Sequence, residues 1–130
     1  MPTTRFAPAP TGRLHLGHLA NVIYVWGLAR RAAGRVLLRI EDHDRQRCRP
    51  EHEAALLADL DRLGIVADEP STAELRCPGP SPFRQSDNDH VYEAALARLR
   101  AATEVYACDC SRATFAAWRA GHGRAWSGPG

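Results

Sequence analysis

The sequence predicts an α/β fold with a parallel sheet, and three observations indicate it. A short β-compatible segment at residues 2–7 precedes a run whose apolar residues recur at helical spacing. A second β-compatible segment, RVLLRI, follows at residues 35–40. A strand, a helix and a strand in this order form one βαβ unit, the half of a nucleotide-binding fold. With 130 residues, of which 45% are hydrophobic, the chain has the length of one globular domain.

The first helix is predicted over residues 18–33. Gly34 stands where the residue just after a helix end is expected. A second helix is predicted from Pro50, which suits the first turn of a helix, to a stop at Gly64. The apolar residues expected to face the core are Leu19, Val22, Ile23, Trp26 and Ala29 in the first helix and Leu56, Leu57, Leu60 and Leu63 in the second.

A third helix is predicted over residues 87–102, with Ser86 and Asp89 as its capping box. Tyr92, Ala95, Leu96 and Leu99 are expected to face inward from it. Residues 66–82 hold four prolines and no periodicity, so they are predicted to form a loop without chemistry.

The segment RFAPAPTGRLHLGH at residues 5–18 is the most informative part of the chain. It lies on a predicted strand-to-helix turn, where the positive end of the helix favours an anion near Gly17. His15 and His18 stand i, i+3 on one face, so both imidazoles can point at one phosphate group. Either histidine alone is more often a solvated surface residue, whereas the whole arrangement indicates a site. The candidate nucleotide-binding residues are Pro8, Thr11, Gly12, His15, Gly17 and His18.

The composition argues against several classes of protein. All 17 basic residues are arginine, and the net charge of +2 is too small to indicate nucleic-acid binding by itself. No apolar run approaches the roughly 20 residues that cross a bilayer, and no secretory signal follows the N-terminus. A cytoplasmic protein without membrane contact is therefore expected. No G-x-G-x-x-G follows the first strand, which argues against a dinucleotide fold.

The motif His15-Leu16-Gly17-His18, after a Pro-x-Pro-Thr-Gly turn, resembles the first signature of class I aminoacyl-tRNA synthetases. The wider string, together with LLRIEDHDRQR at residues 37–47 and FRQSDN at residues 83–88, resembles the glutamate branch, glutamyl-tRNA synthetase and glutamyl-Q tRNA(Asp) synthetase. The resemblance runs from about Thr4 to about Thr114. It implies a Rossmann-like (HUP-type) parallel-sheet nucleotide-binding catalytic domain, present here as its N-terminal portion. Residues 1–105 would form the catalytic half, and residues 106–130 the start of an inserted, zinc-binding segment.

The same resemblance implies ATP-dependent activation of L-glutamate to glutamyl-adenylate and transfer to tRNA, either tRNA(Asp) or tRNA(Glu), by a monomer. Mg²⁺ would bridge the triphosphate and be held mostly by ATP and water. His15 and His18 would act as hydrogen-bond donors and not as general bases, because the glutamate carboxylate is already ionised at neutral pH.

Glutamate selection requires an arginine for the side-chain carboxylate and an acid for the ammonium group. The resemblance implies Arg5 and Glu41 for these roles, with further contacts at Ala7 and Ala9. Without it, Arg5 and Glu41 read as a surface ion pair of little energetic value. Ala9 stands where the family usually has serine, and one lost neutral hydrogen bond costs about 0.5–1.5 kcal/mol. Asp42 and Asp44 are expected to cap the following loop and helix.

The segment VYACDCSR resembles the start of the family's zinc module, which makes Cys108 and Cys110 candidate zinc ligands. Taken alone, two such cysteines are more often free thiols. Tetrahedral zinc needs four ligands, for which His122 and Cys77 are possible but unsupported additions. Cys48 is expected to be structural.

The family's second signature contains lysine, which this chain lacks. Either the chain is the N-terminal part of a longer enzyme, the interpretation we favour, or an arginine substitutes. Two other functions stay open, a non-catalytic nucleotide- or tRNA-binding relative and another nucleotidyl transferase with the same histidine motif. Within the branch, CDCSRATF is closer to glutamyl-Q synthetases, whereas His18 is closer to glutamyl-tRNA synthetases.

Overall fold

The computed structural model describes residues 1–124, so the last residues of the predicted inserted segment 106–130 lie outside it. The chain forms two compact units, Met1–Tyr92 and a second that begins at Glu93. No helix within residues 1–124 is long and apolar enough to cross a membrane. The elements are β1 (Thr3–Phe6), α1 (Leu16–Arg31), β2 (Arg35–Leu38), α2 (Pro50–Arg62), α3 (Thr72–Arg76), a 3₁₀ turn (Gln85–Asn88), α4 (Asp89–Ala102) and α5 (Arg112–His122).

The two strands are parallel, which confirms the predicted α/β fold. Arg5 lies opposite Leu37, and backbone pairing continues beyond the strand ends. The Arg39 N–H donates to the Phe6 carbonyl at 3.0 Å, and the Glu41 N–H donates to the Pro8 carbonyl at 3.1 Å. The same register therefore holds as far as Glu41.

The other edge of β2 pairs with two short extended stretches of chain. Leu37 forms a parallel bridge with Glu69, and Ile40 forms one with Arg84. The Ile40 N–H donates to the Phe83 carbonyl at 2.8 Å. β2 therefore lies between β1 on one side and these two segments on the other.

Side chains alternate between the two faces of this sheet. The side chains at even-numbered positions form the buried face, and they pack with residues of α1, α2 and α3 in one hydrophobic core. Phe6 meets Trp26 of α1 edge to face, with ring centroids 5.7 Å apart. The buried positions are Phe6, Pro8, Pro10, Val36, Leu38 and Ile40, and the half-buried or exposed odd positions are Arg5, Ala7, Ala9, Arg35, Leu37, Arg39 and Glu41.

α1 ends differently from the prediction. Ala33, and not Gly34, takes the left-handed conformation, with φ of 48°. Gly34 is required for another reason, since a Cβ there would lie 2.7 Å from the Pro2 carbonyl oxygen. α2 ends as predicted, with Gly64 at φ of 66° after the cap residue Leu63.

The predicted core faces are partly correct. Val22, Ala29, Leu56, Leu57 and Leu60 are buried as predicted. The prediction that Ile23 and Leu63 are buried is wrong, since they are 71% and 52% exposed. Ile23 lies outside the face of α1 that packs on the core, and Leu63 is the C-cap residue of α2. The inward face predicted for α4 is also wrong, since Tyr92, Ala95, Leu96 and Leu99 are exposed; α4 crosses the boundary between the two units.

The loop predicted over residues 66–82 contains a helix that the prediction missed. Ser71 and Glu74 form a capping box at the start of α3, with the Ser71 N–H donating to Glu74 Oε2 at 2.7 Å. The Ser-x-x-Glu pattern is the sequence signal for it.

The capping box predicted for Ser86 and Asp89 is wrong. The Ser86 hydroxyl instead donates to Asp42 Oδ2 at 2.6 Å, and a 3₁₀ turn precedes α4.

Candidate functional site

His15 and His18 lie together at the start of α1, where the chain leaves the carboxyl end of β1. Their ring centroids are 4.0 Å apart. His15 is the N-cap, because its Nδ1 accepts the Gly17 N–H at 3.1 Å. His18 Nδ1 in turn accepts the His15 N–H at 3.3 Å. The predicted pairing of the two imidazoles on one face is confirmed.

These hydrogen bonds determine what each ring can offer a ligand. In a neutral imidazole whose Nδ1 accepts, the proton is on Nε2. Burial lowers the pKa of His18 below its ordinary value of 6.5, and the neighbouring His15 lowers it further. The arrangement therefore favours a neutral His18 ring whose Nε2–H is available as a donor.

Gly17 serves the histidine pair in a way that the sequence did not suggest. A Cβ on Gly17 would lie 3.0 Å from His15 Cε1, so glycine leaves room for the ring. The Gly17 amide, which was expected to be open to an anion at the helix end, already donates to His15. A Cβ on Gly12 would meet nothing within 4 Å among the described residues, so the space beside Gly12 is open.

The four candidate glutamate residues share one face of the sheet. Arg5, Ala7 and Ala9 are successive odd positions of one chain segment, and Glu41 follows the same alternation beyond β2. The register places Ala9 opposite Glu41 and Arg5 four residues further back. That offset is about 13 Å along the sheet. Two small alanines therefore separate a basic and an acidic side chain.

Arg5 and Glu41 do not form the surface ion pair that was the alternative explanation. Within residues 1–124 the Arg5 guanidinium has neither a hydrogen bond nor an ion pair. Glu41 Oε1 lies 3.0 Å from Arg39 Nε, and Glu41 Oε2 lies 3.9 Å from His43 Nδ1. An exposed, unpaired cation at Arg5 is free to bind an anionic group.

Asp42 and Asp44 have structural partners. Asp44 accepts from Arg47 Nε at 2.6 Å, which closes a local turn as expected. Asp42 does not cap that loop; it accepts both the N–H and the hydroxyl of Ser86, which tie the strand end to the 3₁₀ turn.

Two residues of the FRQSDN segment also gain individual partners. Arg84 Nη2 donates to Glu53 Oε1 at 2.5 Å and to the Leu75 carbonyl at 3.1 Å, so it links α2 with α3. Gln85 Oε1 lies 3.1 Å from His43 Nδ1.

A cavity of about 610 Å³ lies beside α2 and α3. It is lined by Pro10, Asp42, Cys48, Arg49 and Arg84 among others, and Arg5, Glu41 and the two histidines do not line it. We therefore place the candidate site on the odd-numbered face and at the start of α1, where these candidate residues lie.

The cysteines do not form a complete metal site among the described residues. Within residues 1–124, no three histidine, cysteine or acidic side chains are grouped as metal ligands. A hydrogen bond with Cys108 raises the pKa of the Cys110 thiol, so these two sulfurs are neighbours. Cys48 is half-buried with Sγ 3.9 Å from the Glu41 carbonyl oxygen, and burial raises the pKa of its thiol.

Comparisons with known proteins agree on one family. Over 127 residues, the chain is 46% identical to a glutamyl-Q tRNA(Asp) synthetase of Symbiobacterium thermophilum, covering 96% of this chain and 38% of that protein. A glutamyl-Q tRNA(Asp) synthetase of Rhodobacter capsulatus is 50% identical over 109 residues, covering 84% and 35%. The chain thus spans less than two fifths of the length of these relatives.

A solved structure extends the likeness to the fold. The glutamate tRNA ligase of Elizabethkingia meningosepticum, in complex with its amino acid, superposes with a TM-score of 0.70 at 32% identity. The alignment covers 92% of this chain and 23% of that one. The family described as tRNA synthetases class I (E and Q), catalytic domain, matches residues 2–126. The chain therefore belongs to the class I tRNA synthetases of the glutamate and glutamine group and carries part of their Rossmann-like catalytic domain.

Proposed function

We propose that this chain is the glutamate- and nucleotide-binding part of an enzyme that activates L-glutamate with ATP and transfers it to tRNA. The observation that carries the proposal is the shared sheet face, which presents Arg5, unpaired within residues 1–124, and an acidic Glu41 together with Ala7 and Ala9. Residues 1–105 are assigned to this binding role.

Glutamate fits this face by charge and by size. Its side-chain carboxylate would bind the Arg5 guanidinium, whose fork of N–H donors matches two carboxylate oxygens. Its ammonium group would bind Glu41, and its carbon chain would lie over the two alanines. The backbone offset of roughly 13 Å between Arg5 and Glu41 leaves room for their two side chains and one amino acid between them.

ATP would lie at the start of α1, close to the carboxyl end of β1. The α-carboxylate of glutamate would attack the α-phosphorus, forming a mixed anhydride and breaking the bond to pyrophosphate. His15 and His18 would donate from Nε2 to phosphate oxygens as charge builds there. We assign Mg²⁺ to the ATP phosphates and water. Pro8, Thr11, Gly12 and Gly17 would form the backbone around the nucleotide.

The tRNA is tRNA(Asp) or tRNA(Glu). The two relatives above are glutamyl-Q tRNA(Asp) synthetases, and the matched structure is a glutamate tRNA ligase. We further propose that Cys108 and Cys110 are two ligands of a zinc site in the segment that starts near residue 106. Since tRNA and ATP are cytoplasmic substrates, the reaction takes place in the cytoplasm, carried out by a monomer.

Glutamate-dependent exchange of pyrophosphate into ATP tests the proposal. The complete gene product should catalyse exchange with L-glutamate and show little with glutamine or aspartate. Glutamine lacks the carboxylate that Arg5 binds, and the shorter aspartate cannot reach Arg5 while its ammonium group binds Glu41. Exchange stimulated equally by several amino acids would contradict the glutamate assignment. The absence of exchange, combined with tRNA binding, would favour a non-catalytic module instead.

The transfer step needs its own assay, with radiolabelled glutamate and purified tRNA. Charging of tRNA(Glu) would indicate a glutamyl-tRNA synthetase. Glutamate attached to tRNA(Asp) only when that tRNA contains queuosine would indicate a glutamyl-Q synthetase.

A further inference from the structure

Arg39 occupies the position between the two ends of the candidate glutamate site. It lies on the same sheet face as Arg5 and Glu41, and the register places it opposite Ala7. Its side chain is 27% exposed and that of Glu41 is 19% exposed. The roles proposed above for Arg5 and Glu41 do not involve it.

The guanidinium of Arg39 is held at two points. Nη2 donates to the Tyr92 hydroxyl at 2.8 Å. Nε lies 3.0 Å from Glu41 Oε1. This second contact is close but poorly directed, because the buried Nε has no hydrogen-bond partner of good geometry among the described residues. A buried N–H beside a carboxylate oxygen gains energy when the two become aligned.

The two oxygens of Glu41 are therefore not equivalent. Oε1 faces Arg39, and Oε2 has a more distant neighbour in His43 Nδ1 at 3.9 Å. An ammonium group approaching this carboxylate would meet Oε2, the oxygen that Arg39 leaves available. Without Arg39 the carboxylate could rotate freely, and binding would have to restrict that rotation at a cost in conformational entropy.

We propose that Arg39 is a positioning residue, which fixes the Glu41 carboxylate so that one oxygen receives the ammonium group of bound glutamate. The inference rests on the proposed function. The Tyr92 hydroxyl anchors the guanidinium at a second nitrogen, and Arg39 itself does not contact the substrate.

A comparison of glutamate with glutarate distinguishes a positioning role of Arg39 from direct binding of the substrate by Arg39. Glutarate has two carboxylates and no ammonium group, so it can bind Arg5 but gains nothing from an oriented Glu41. In the complete gene product, Arg39→Gln should raise the KM for glutamate roughly 10-fold, as expected when the Glu41 carboxylate loses the charged neighbour that holds it in place. The KM for ATP and the inhibition constant of glutarate should stay within about twofold of wild type. Arg39→Lys, which keeps the charge, should recover part of the affinity for glutamate.

Arg35→Gln is the matched control, because Arg35 lies on the same strand and face and pairs with Glu69 at 2.7 Å, away from Glu41. It should leave all three constants unchanged. Calorimetric titration with glutamate and with glutarate gives the same comparison without turnover, and melting curves show that each variant is folded.

Equal weakening of glutamate and glutarate by Arg39→Gln would overturn the proposal, since Arg39 would then bind a carboxylate directly. An unchanged glutamate affinity in a folded Arg39→Gln protein would overturn it as well. A wild-type protein that binds neither ligand would overturn the proposed function and, with it, this inference.

Discussion

Glu41 pairs with Arg39, two residues earlier on the same sheet face, at 3.0 Å, and Arg5 remains without an ion-pair partner within residues 1–124. Arg5 and Glu41 therefore do not neutralise each other, although they lie on the same face. An unpaired cation and a fixed carboxylate are what a small zwitterion with a second carboxylate requires.

His15 has two roles that substitution can separate. His15→Asn should preserve the N-cap, because asparagine is also a good capping residue, and should leave the melting temperature close to that of wild type. It removes the Nε2–H donor, so glutamate-dependent exchange should fall by roughly 10²- to 10³-fold. His15→Ala should lose both the cap, at about 0.5–2 kcal/mol, and the exchange. Thermal melts and exchange rates of the two variants provide the comparison, and full exchange activity in His15→Asn would refute the donor role.

The lowered pKa of His18 predicts a pH dependence of stability. The unfolded chain takes up the proton near the ordinary value of 6.5, whereas the folded protein takes it up only at lower pH. This contribution to stability is therefore present above about pH 6.5 and is lost as the pH falls through the lowered pKa.

Melting temperatures measured between about pH 7.5 and 5 should fall less in His18→Gln than in wild type. His90→Gln, an exposed position on α4, is the control and should retain the wild-type slope. An identical slope in all three proteins would show that His18 does not contribute.

Gly34→Ala should destabilise the catalytic unit. The added Cβ would lie 2.7 Å from the Pro2 carbonyl oxygen, at the point where the chain enters β2, so backbone must shift. Such overpacking costs about 1–3 kcal/mol. Gly27→Ala is the control, because within residues 1–124 a Cβ added there would meet nothing within 4 Å outside its own helix, and alanine is favoured within α1 by about 0.5–1 kcal/mol. Denaturant unfolding of both variants should give changes of opposite sign.

Arg84→Met should destabilise the fold by about 1–3 kcal/mol, because it leaves the half-buried Glu53 carboxylate without its partner and removes a donor to the Leu75 carbonyl. Adding Glu53→Gln in the same chain should restore part of the loss, a coupling that a double-mutant cycle measures. The more exposed Arg76, which pairs with Asp61, provides the comparison, and Arg76→Met should have a much smaller effect. Equal losses for Arg84→Met and Arg76→Met would argue against a linking role for Arg84.

The sequence predicted the βαβ unit, its parallel strands and the histidine pair, because local alternation and helical periodicity are enough to define them. It wrongly predicted that Ile23 is buried, because the exposure of Ile23 depends on which face of α1 packs on the sheet. It missed the contacts of Arg39 with Glu41 and of Ser86 with Asp42, which depend on register and on the approach of separate segments. Alternation in RVLLRIE did contain one usable signal, since it places Arg39 and Glu41 on one face.

Recognition of the glutamate side-chain carboxylate by Arg5 is the central claim, and substituting this one residue tests it most directly. In the complete gene product, Arg5→Ala should raise the KM for glutamate in pyrophosphate exchange by roughly 10- to 100-fold, the value of one charge-assisted hydrogen-bonded contact. The KM for ATP should change by less than about twofold. An equal increase in both constants, or no change in the glutamate constant, would contradict this role of Arg5.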